Sequence, residues 1–263
     1  MRRFRAASAF WHNSPYMVLN QFRPAGIPME RKGSALVRAL ERLQGTHVFV
    51  FVCLILCSVV SVQAQQTAVP TVTFTCDFPG SEPDHYVISI SEDGSASYDS
   101  DSKLNPESSS DPYHSDFSVS QAARTRVFDL AKHAHYFEGQ IDSKNKNLAS
   151  TGTKTLTYKD TQKITHATYN YSPVASVQEL TNFFQALSTT LEFGHRLDYY
   201  LHYQKLALDD ELKKMEEMWN SHEIQEISSV APVLQKIADD PAVIKVVRAR
   251  AQRLLQLGET KSK

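Results

Sequence analysis

Four residues in one predicted helix have side chains that can bind a metal ion: Glu192, His195, Asp198 and His202. At 100° per residue, the last three fall within an arc of about 60° on the helix surface. Histidine nitrogens and carboxylate oxygens are common zinc ligands in catalytic sites. The spacing therefore makes His195, Asp198 and His202 candidate ligands of a metal-dependent envelope hydrolase, with His166 as a contributor from another segment.

The apolar residues of the same helix favour a simpler interpretation. Phe193, Leu197, Tyr200 and Leu201 occupy a separate arc of about 100°, which predicts that the polar residues face solvent. The two histidines are also about 10 Å apart along the helix axis, too far for one zinc ion at about 2 Å per ligand. We therefore expect a solvated helix face, with no metal and no cofactor.

Motifs of several other catalytic classes are missing from the sequence. It contains no GxSxG, GxxxxGK[ST], HExxH or CxxC motif, and no GxGxxG after a strand. Of three cysteines, Cys53 and Cys57 lie in an apolar run near the N-terminus, and Cys76 has no cysteine partner beyond that run. A buried structural thiol is the role that we expect for Cys76.

The first 64 residues have the pattern of a targeting segment. Residues 1–46 contain eight Lys or Arg and two Glu, and an uncharged apolar run follows at residues 48–62. As a helix, that run would span about 22 Å, short of a bilayer core of about 30 Å. This length favours a signal peptide, and the step from the small Ala64 to the polar Gln65 predicts cleavage between them.

Two alternatives stay open for this segment. Translation from Met29 would give a signal peptide of conventional length. Without cleavage, the apolar run would be a signal anchor in the inner membrane, with a basic cytoplasmic tail. We expect a periplasmic or secreted protein after cleavage, with membrane contact only through an uncleaved leader.

Removal of the leader changes the charge of the chain. The 263 residues carry a formal charge of -1, whereas the 199 residues that follow Ala64 hold 20 basic and 27 acidic side chains and a charge of -7. Because nucleic-acid binding requires a net basic surface, we expect no nucleic-acid partner. The charge does not exclude a protein partner, whose identity the sequence does not give.

The part after the leader has an α+β pattern. Residues 65–84 contain three prolines and one short alternating run, which predict a linker that leads into an edge strand. Over 85–175, alternating residues predict two hairpins separated by a helix that Ser120 caps. We expect a small antiparallel sheet of two hairpins with a packed helix.

Helical periodicity dominates residues 176–258. An apolar stripe begins at Val177 and continues to Leu201, with Gly194 as the point where we expect a bend. Residues 230–255 resemble a single HEAT-type helical hairpin. Because one such unit has no neighbour to bury its faces, it is expected to pack on the rest of the domain.

A wider resemblance covers most of residues 85–257. The sequence blocks that carry it are YVISISEDGSASYDS, TRVFDLAKHAHYFEG, TGTKTLTYKD and ATYNYSPVASVQELTNFFQALSTTLEFGHRL. They resemble a group of uncharacterised exported bacterial proteins. The resemblance implies export and brings no catalytic residues with it.

The sequence is therefore compatible with two functions. The first is an exported, non-enzymatic binding or interaction module, for which aromatic residues such as Phe183, Tyr199 and Tyr203 offer contact groups. The second is an envelope hydrolase or metal-dependent enzyme that uses the histidine and aspartate cluster. A pocket into which the cluster converges would favour the enzyme.

Overall fold

The computed structural model describes residues 69–104, 112–145 and 147–261. These residues belong to one compact unit, Gln66–Lys263. The predicted leader lies outside the described residues, as do the alternative start at Met29 and the cleavage site between Ala64 and Gln65.

Six antiparallel strands form one sheet in the order β4-β3-β2-β1-β5-β6. Every second residue of β1, β2, β3 and β5 is buried, as the two-residue period of a strand requires. The strands are β1 (Thr71–Asp77), β2 (His85–Ser91), β3 (Ser95–Ser100), β4 (Tyr113–Ser118), β5 (Thr153–Lys159) and β6 (Ile164–Tyr169).

The strand β1 corrects the prediction for residues 65–84. It pairs with β2 on one side and with β5 on the other, so it lies inside the sheet rather than at its edge. The prolines of this segment flank the strand without interrupting it. Val72, Phe74 and Cys76 supply its buried face, and β1 joins the two predicted hairpins into one sheet.

Within the described residues, five α-helices pack with the sheet. The first begins after Ser120, whose hydroxyl accepts a hydrogen bond from the Ala123 amide at 3.1 Å, so the predicted cap is confirmed. The helices are α1 (Gln121–His133), α2 (Ala175–Tyr203), α3 (Leu208–Asn220), α4 (Ala231–Asp239) and α5 (Lys245–Lys261). The α+β class and the helical C-terminal part are thus confirmed.

Helix α2 contacts both the sheet and several of the other helices of the described unit. One side of it packs on the sheet, and its C-terminal half also packs against α3, α4 and the short helix Ile227–Val230. It continues through Gly194 to Tyr203 as one helix. A Cβ atom at Gly194 would lie 2.5 Å from Val230 Cγ1, so the glycine permits close packing of the two segments.

The other face of the sheet carries mostly Ser and Thr. Thr73 and Ser89 lie opposite each other on that face, with their hydroxyl oxygens 2.9 Å apart. Among the described residues, no helix combines the length and the apolar character needed to cross a membrane.

Candidate functional site

One row of polar side chains crosses the whole sheet on the face that α2 covers. Each strand contributes one residue, and each residue lies opposite the next in the strand register. The row consists of Tyr113, Ser100, Tyr86, Cys76, Lys154 and Tyr169. The parallel row next to it is largely apolar and includes Phe74, Ile88 and Leu156. We call the first set the polar row.

Helix α2 places a stripe of polar residues above this row. Thr181, Gln185, Ser188, Glu192 and His195 follow one another at intervals of four and three, so they share one face of the helix. At one end of the stripe, the Tyr169 and Thr181 hydroxyl oxygens are 2.5 Å apart. At the other end, the His195 imidazole stacks on the Tyr113 ring, with 3.8 Å between centroids.

The carboxylate of Glu192 accepts three hydrogen bonds within this arrangement. Its residue is 4% exposed. Tyr98 and Ser100 donate hydrogen bonds to Oε1 at 2.7 and 2.9 Å, and Ser102 donates to Oε2 at 2.5 Å. Burial alone would raise the pKa of Glu192, but the nearby His195 and these three hydroxyls lower it below its ordinary value. Glu192 is therefore a buried carboxylate that stays ionised at neutral pH.

Two tyrosines and a serine connect Glu192 to the middle of the polar row. The Ser188 hydroxyl lies 3.0 Å from the Tyr98 hydroxyl and also interacts with Tyr86. Burial raises the pKa of Tyr86 and of the Cys76 thiol beside it. Both groups are thus protonated at neutral pH, and Cys76 lacks the thiolate that a nucleophile needs.

Lys154 is buried without a carboxylate partner, and its pKa is lowered by that burial. Its ammonium group donates to Thr151 O and Oγ1 at 2.8 and 2.9 Å, to Asn170 O at 3.1 Å and to Gly152 O at 3.2 Å. These bonds hold the turn at residues 151–152 against the end of the sheet.

A cleft of about 580 Å³ opens onto the polar row between α2, α3 and the loop at residues 78–83. Cys76, Tyr86, Ser188 and Glu192 line its inner part. Its wall includes Arg196, whose Nε donates to Glu211 Oε1 at 2.6 Å. We call this cleft the large bay.

A second cleft of about 270 Å³ lies over the other end of the row. Lys154 and Tyr169 contribute to its lining, together with residues of α2 and of the segment that follows β6. Thr151 and Gln185 border both clefts, so the two are neighbours along α2. We call the second cleft the small bay.

The three candidate metal ligands do not converge. His195 turns toward Glu192 and Tyr113, with its Nδ1 3.9 Å from Glu192 Oε2. Asp198 is about half exposed and pairs instead with His202 at 3.6 Å and Lys236 at 3.4 Å. No group of three or more metal-binding side chains is found in the part of the chain that the structure describes.

The prediction that Glu192 and His195 face solvent was wrong. The side chain of His195 is only 14% exposed, and that of Glu192 is more deeply buried. Their helix is covered on more than one side, so its polar face here meets the sheet. His166 is exposed on the opposite face of the sheet and cannot join them.

Sequence reasoning missed most of the polar row and its contacts. Tyr98, Ser100 and Ser102 come from a strand and the segment after it, and nothing local marks them as partners of Glu192. The available signal was the stripe of polar residues at helical spacing in α2, which an ordinary surface helix would also show.

The sequence matches no protein-family model and no curated protein.

Proposed function

We propose that the exported part of this chain is a non-enzymatic binding module that holds a polar ligand in the large and small bays beside α2. The observation that carries this proposal is the position of the polar row: Cys76 and Tyr86 line the large bay, and Lys154 and Tyr169 line the small bay. Ligand sites typically occupy about 300–1,000 Å³ and contain a few well-placed polar groups in an otherwise apolar setting. The large bay, at about 580 Å³, lies within this size range, and its lining is more polar than that of a typical site.

Recognition is a better account of these groups than catalysis. A general acid or base must exchange a proton with the substrate. Glu192 is ionised and accepts three hydrogen bonds from the protein itself, while the Cys76 thiol has a raised pKa. Such fixed groups can position a ligand but are poorly suited to proton transfer.

The hydrolase alternative has a direct test. It requires a metal held by His195, Asp198 and His202, although His195 stacks on Tyr113 while Asp198 and His202 pair with each other. Metal analysis of the purified protein, with and without added zinc, measures this. Stoichiometric zinc that is lost in the Asp198→Asn variant would favour the enzyme over the binding module.

Export is proposed from the leader alone. The basic segment and the apolar run at residues 48–62 support a periplasmic or secreted protein, with a signal anchor as the alternative. The mass of the N-terminal peptide of the cell-derived protein tests it. A chain that begins at Gln65 supports cleavage, and one that retains residue 40 contradicts it.

The binding proposal is tested by a thermal-shift screen of uncharged, anionic and cationic metabolites. Gln185 is exposed and borders both bays, so Gln185→Trp should obstruct them without disturbing the core. Gln252 is an exposed helical glutamine of α5 that borders neither bay, and Gln252→Trp is the matched control. A ligand whose stabilisation disappears only in Gln185→Trp supports the proposal. Ligands that stabilise both variants equally would contradict it.

A further inference from the structure

The charges on the inner walls of the two bays are already compensated within the protein, whereas Glu82 and Lys214, which also line the large bay, are exposed to solvent. Glu192 is held by hydroxyl groups, Lys154 by four oxygen atoms, and Arg196 by Glu211. A charged ligand that lost its water here would find no opposite charge free to replace it on the inner walls. This pattern favours a ligand that is polar and uncharged.

The groups left for such a ligand are mainly hydroxyls and carboxamides. Asn182 and Gln185 are exposed on one face of α2, with Asn182 in the small bay and Gln185 at the border of both bays. Thr189 lines the large bay on the next turn. A carboxamide both donates and accepts hydrogen bonds, and so does each hydroxyl of a sugar.

One exposed aromatic ring stands in each bay. Phe78 lines the large bay and is 39% exposed, and Tyr171 lines the small bay and is 46% exposed. An aromatic face is apolar and carries negative partial charge, and it suits the C–H face of a sugar ring whose hydroxyls point outward. Two rings in neighbouring bays can therefore each support one sugar unit.

Several contacts fix residues 151–152, which lie at the border between the two bays. Lys154 fixes Thr151 and Gly152, and Asn170 Oδ1 accepts a further hydrogen bond from the Thr151 amide at 2.9 Å. A Cβ atom at Gly152 would lie 2.7 Å from Phe78 Cβ, so Phe78 packs directly on the glycine. Lys154 is thus a positioning residue for the border between the bays.

We propose that the ligand is a linear, uncharged oligosaccharide that lies along α2 and spans both bays, with Phe78 and Tyr171 each supporting a sugar ring. This inference rests on the proposed binding function and specifies its ligand class. An extended peptide is less suitable, because peptides commonly bind by adding a strand to an open sheet edge. The edges here are β4 and β6, whereas the large bay lies beside β1 and β2, inside the sheet.

The test is calorimetry of the purified chain with three uncharged series: cello-, malto- and N-acetylchito-oligosaccharides from one to six units. In one series we expect affinity to rise from the monosaccharide to the trimer or tetramer and then to level off. Because no charge pairing is involved, the affinity should change less than about twofold between low and high salt.

Single substitutions locate the ligand. Phe78→Ala and Tyr171→Ala should each weaken binding by roughly fivefold to tenfold, through loss of one stacked ring. Leu148 is 40% exposed and borders neither bay, so Leu148→Ala is the control and should bind normally. Asn182→Ala, at an exposed position, provides a further test in case an aromatic variant fails to fold.

Several outcomes would overturn the inference. Equal affinity for one and four sugar units excludes a ligand that spans both bays, and unaltered binding by Phe78→Ala and Tyr171→Ala excludes ring stacking. If the metabolite screen finds a ligand that Gln185→Trp blocks but no oligosaccharide binds, the binding function stands and the ligand class is wrong. If neutral peptides bind and sugars do not, the binding function again stands and the ligand class is wrong. Ligands indifferent to Gln185→Trp overturn both proposals.

Discussion

The Ser102 hydroxyl donates a 2.5 Å hydrogen bond to the Glu192 carboxylate, and so ties the segment after β3 to the centre of α2. The other carboxylate oxygen accepts hydrogen bonds from Tyr98 and Ser100 of β3 itself. One buried charge therefore joins the helix to the outer part of the sheet. Protonation of this carboxylate should lower the stability of the fold.

Stability should fall in acid as Glu192 is protonated. The folded protein lowers the pKa of Glu192 below its ordinary value of 4.5, so the unfolded chain binds the proton first. The contribution is fully present above that ordinary value and is lost as the pH falls through the folded-state pKa. Urea unfolding between about pH 7 and about pH 3 measures it.

The Glu192→Gln variant isolates this effect. It should lose roughly 1–3 kcal/mol at neutral pH, because an amide cannot accept all three hydroxyl donors at full strength. Its stability should also depend less on pH in acid. Glu217 is exposed, and Glu217→Gln is the control. If the unfolding free energy of Glu192→Gln fell in acid as steeply as that of the wild type, Glu192 would not be the source of the pH dependence.

Gly152→Ala should destabilise the protein more than Gly139→Ala. The two glycines have nearly the same φ, +88° and +90°, so both variants bear the strain of the left-handed region, about 1–2 kcal/mol. A Cβ atom added at Gly152 would crowd Phe78 and lie 2.9 Å from Asp77 O, whereas one added at Gly139 would meet no atom beyond its chain neighbours within 4 Å. Thermal unfolding should give a further loss of about 1–3 kcal/mol for Gly152→Ala. Equal losses would mean that Phe78 is free to move aside.

Gly194→Ala should be destabilising by about 1–3 kcal/mol, because its new methyl group overlaps Val230. Removing the Val230 methyls should relieve the overlap. The double variant with Val230→Ala should therefore lose less stability than the two single losses added together, by about 1 kcal/mol or more. Chemical unfolding of the four proteins gives this coupling, and strict additivity would contradict the predicted contact.

Lys154→Met should lower stability by about 1–3 kcal/mol, because it leaves the buried oxygen of Gly152 and the half-buried oxygens of Thr151 and Asn170 without their donor. Hydrogen exchange of the 151–152 amides should quicken as the turn loosens. Lys159 is exposed on the same strand, and Lys159→Met is the control. Unchanged exchange in Lys154→Met would show that the turn does not depend on the lysine.

Local patterns were enough to predict several elements. The alternation at Tyr86, Ile88 and Ile90 identified β2, and Ser120 was correctly assigned as the start of α1. Such features depend on residues close in sequence, since strand period and helix capping are local properties. The prediction of α2 succeeded for the same reason, and the helix runs through Gly194 without interruption.

Residue patterns thus predict the α+β class and most of its elements. Which residues these elements bring into contact depends on the tertiary packing. Cys76 lies beside Lys154, and Glu192 beside Ser102, through pairings that span more than seventy residues of chain. Strand register and the two-sided packing of α2 set these contacts, and neither leaves a local pattern in the sequence. For that reason Glu192, which the helical pattern placed in solvent, lies buried between Ser188 and His195 in the polar stripe of α2.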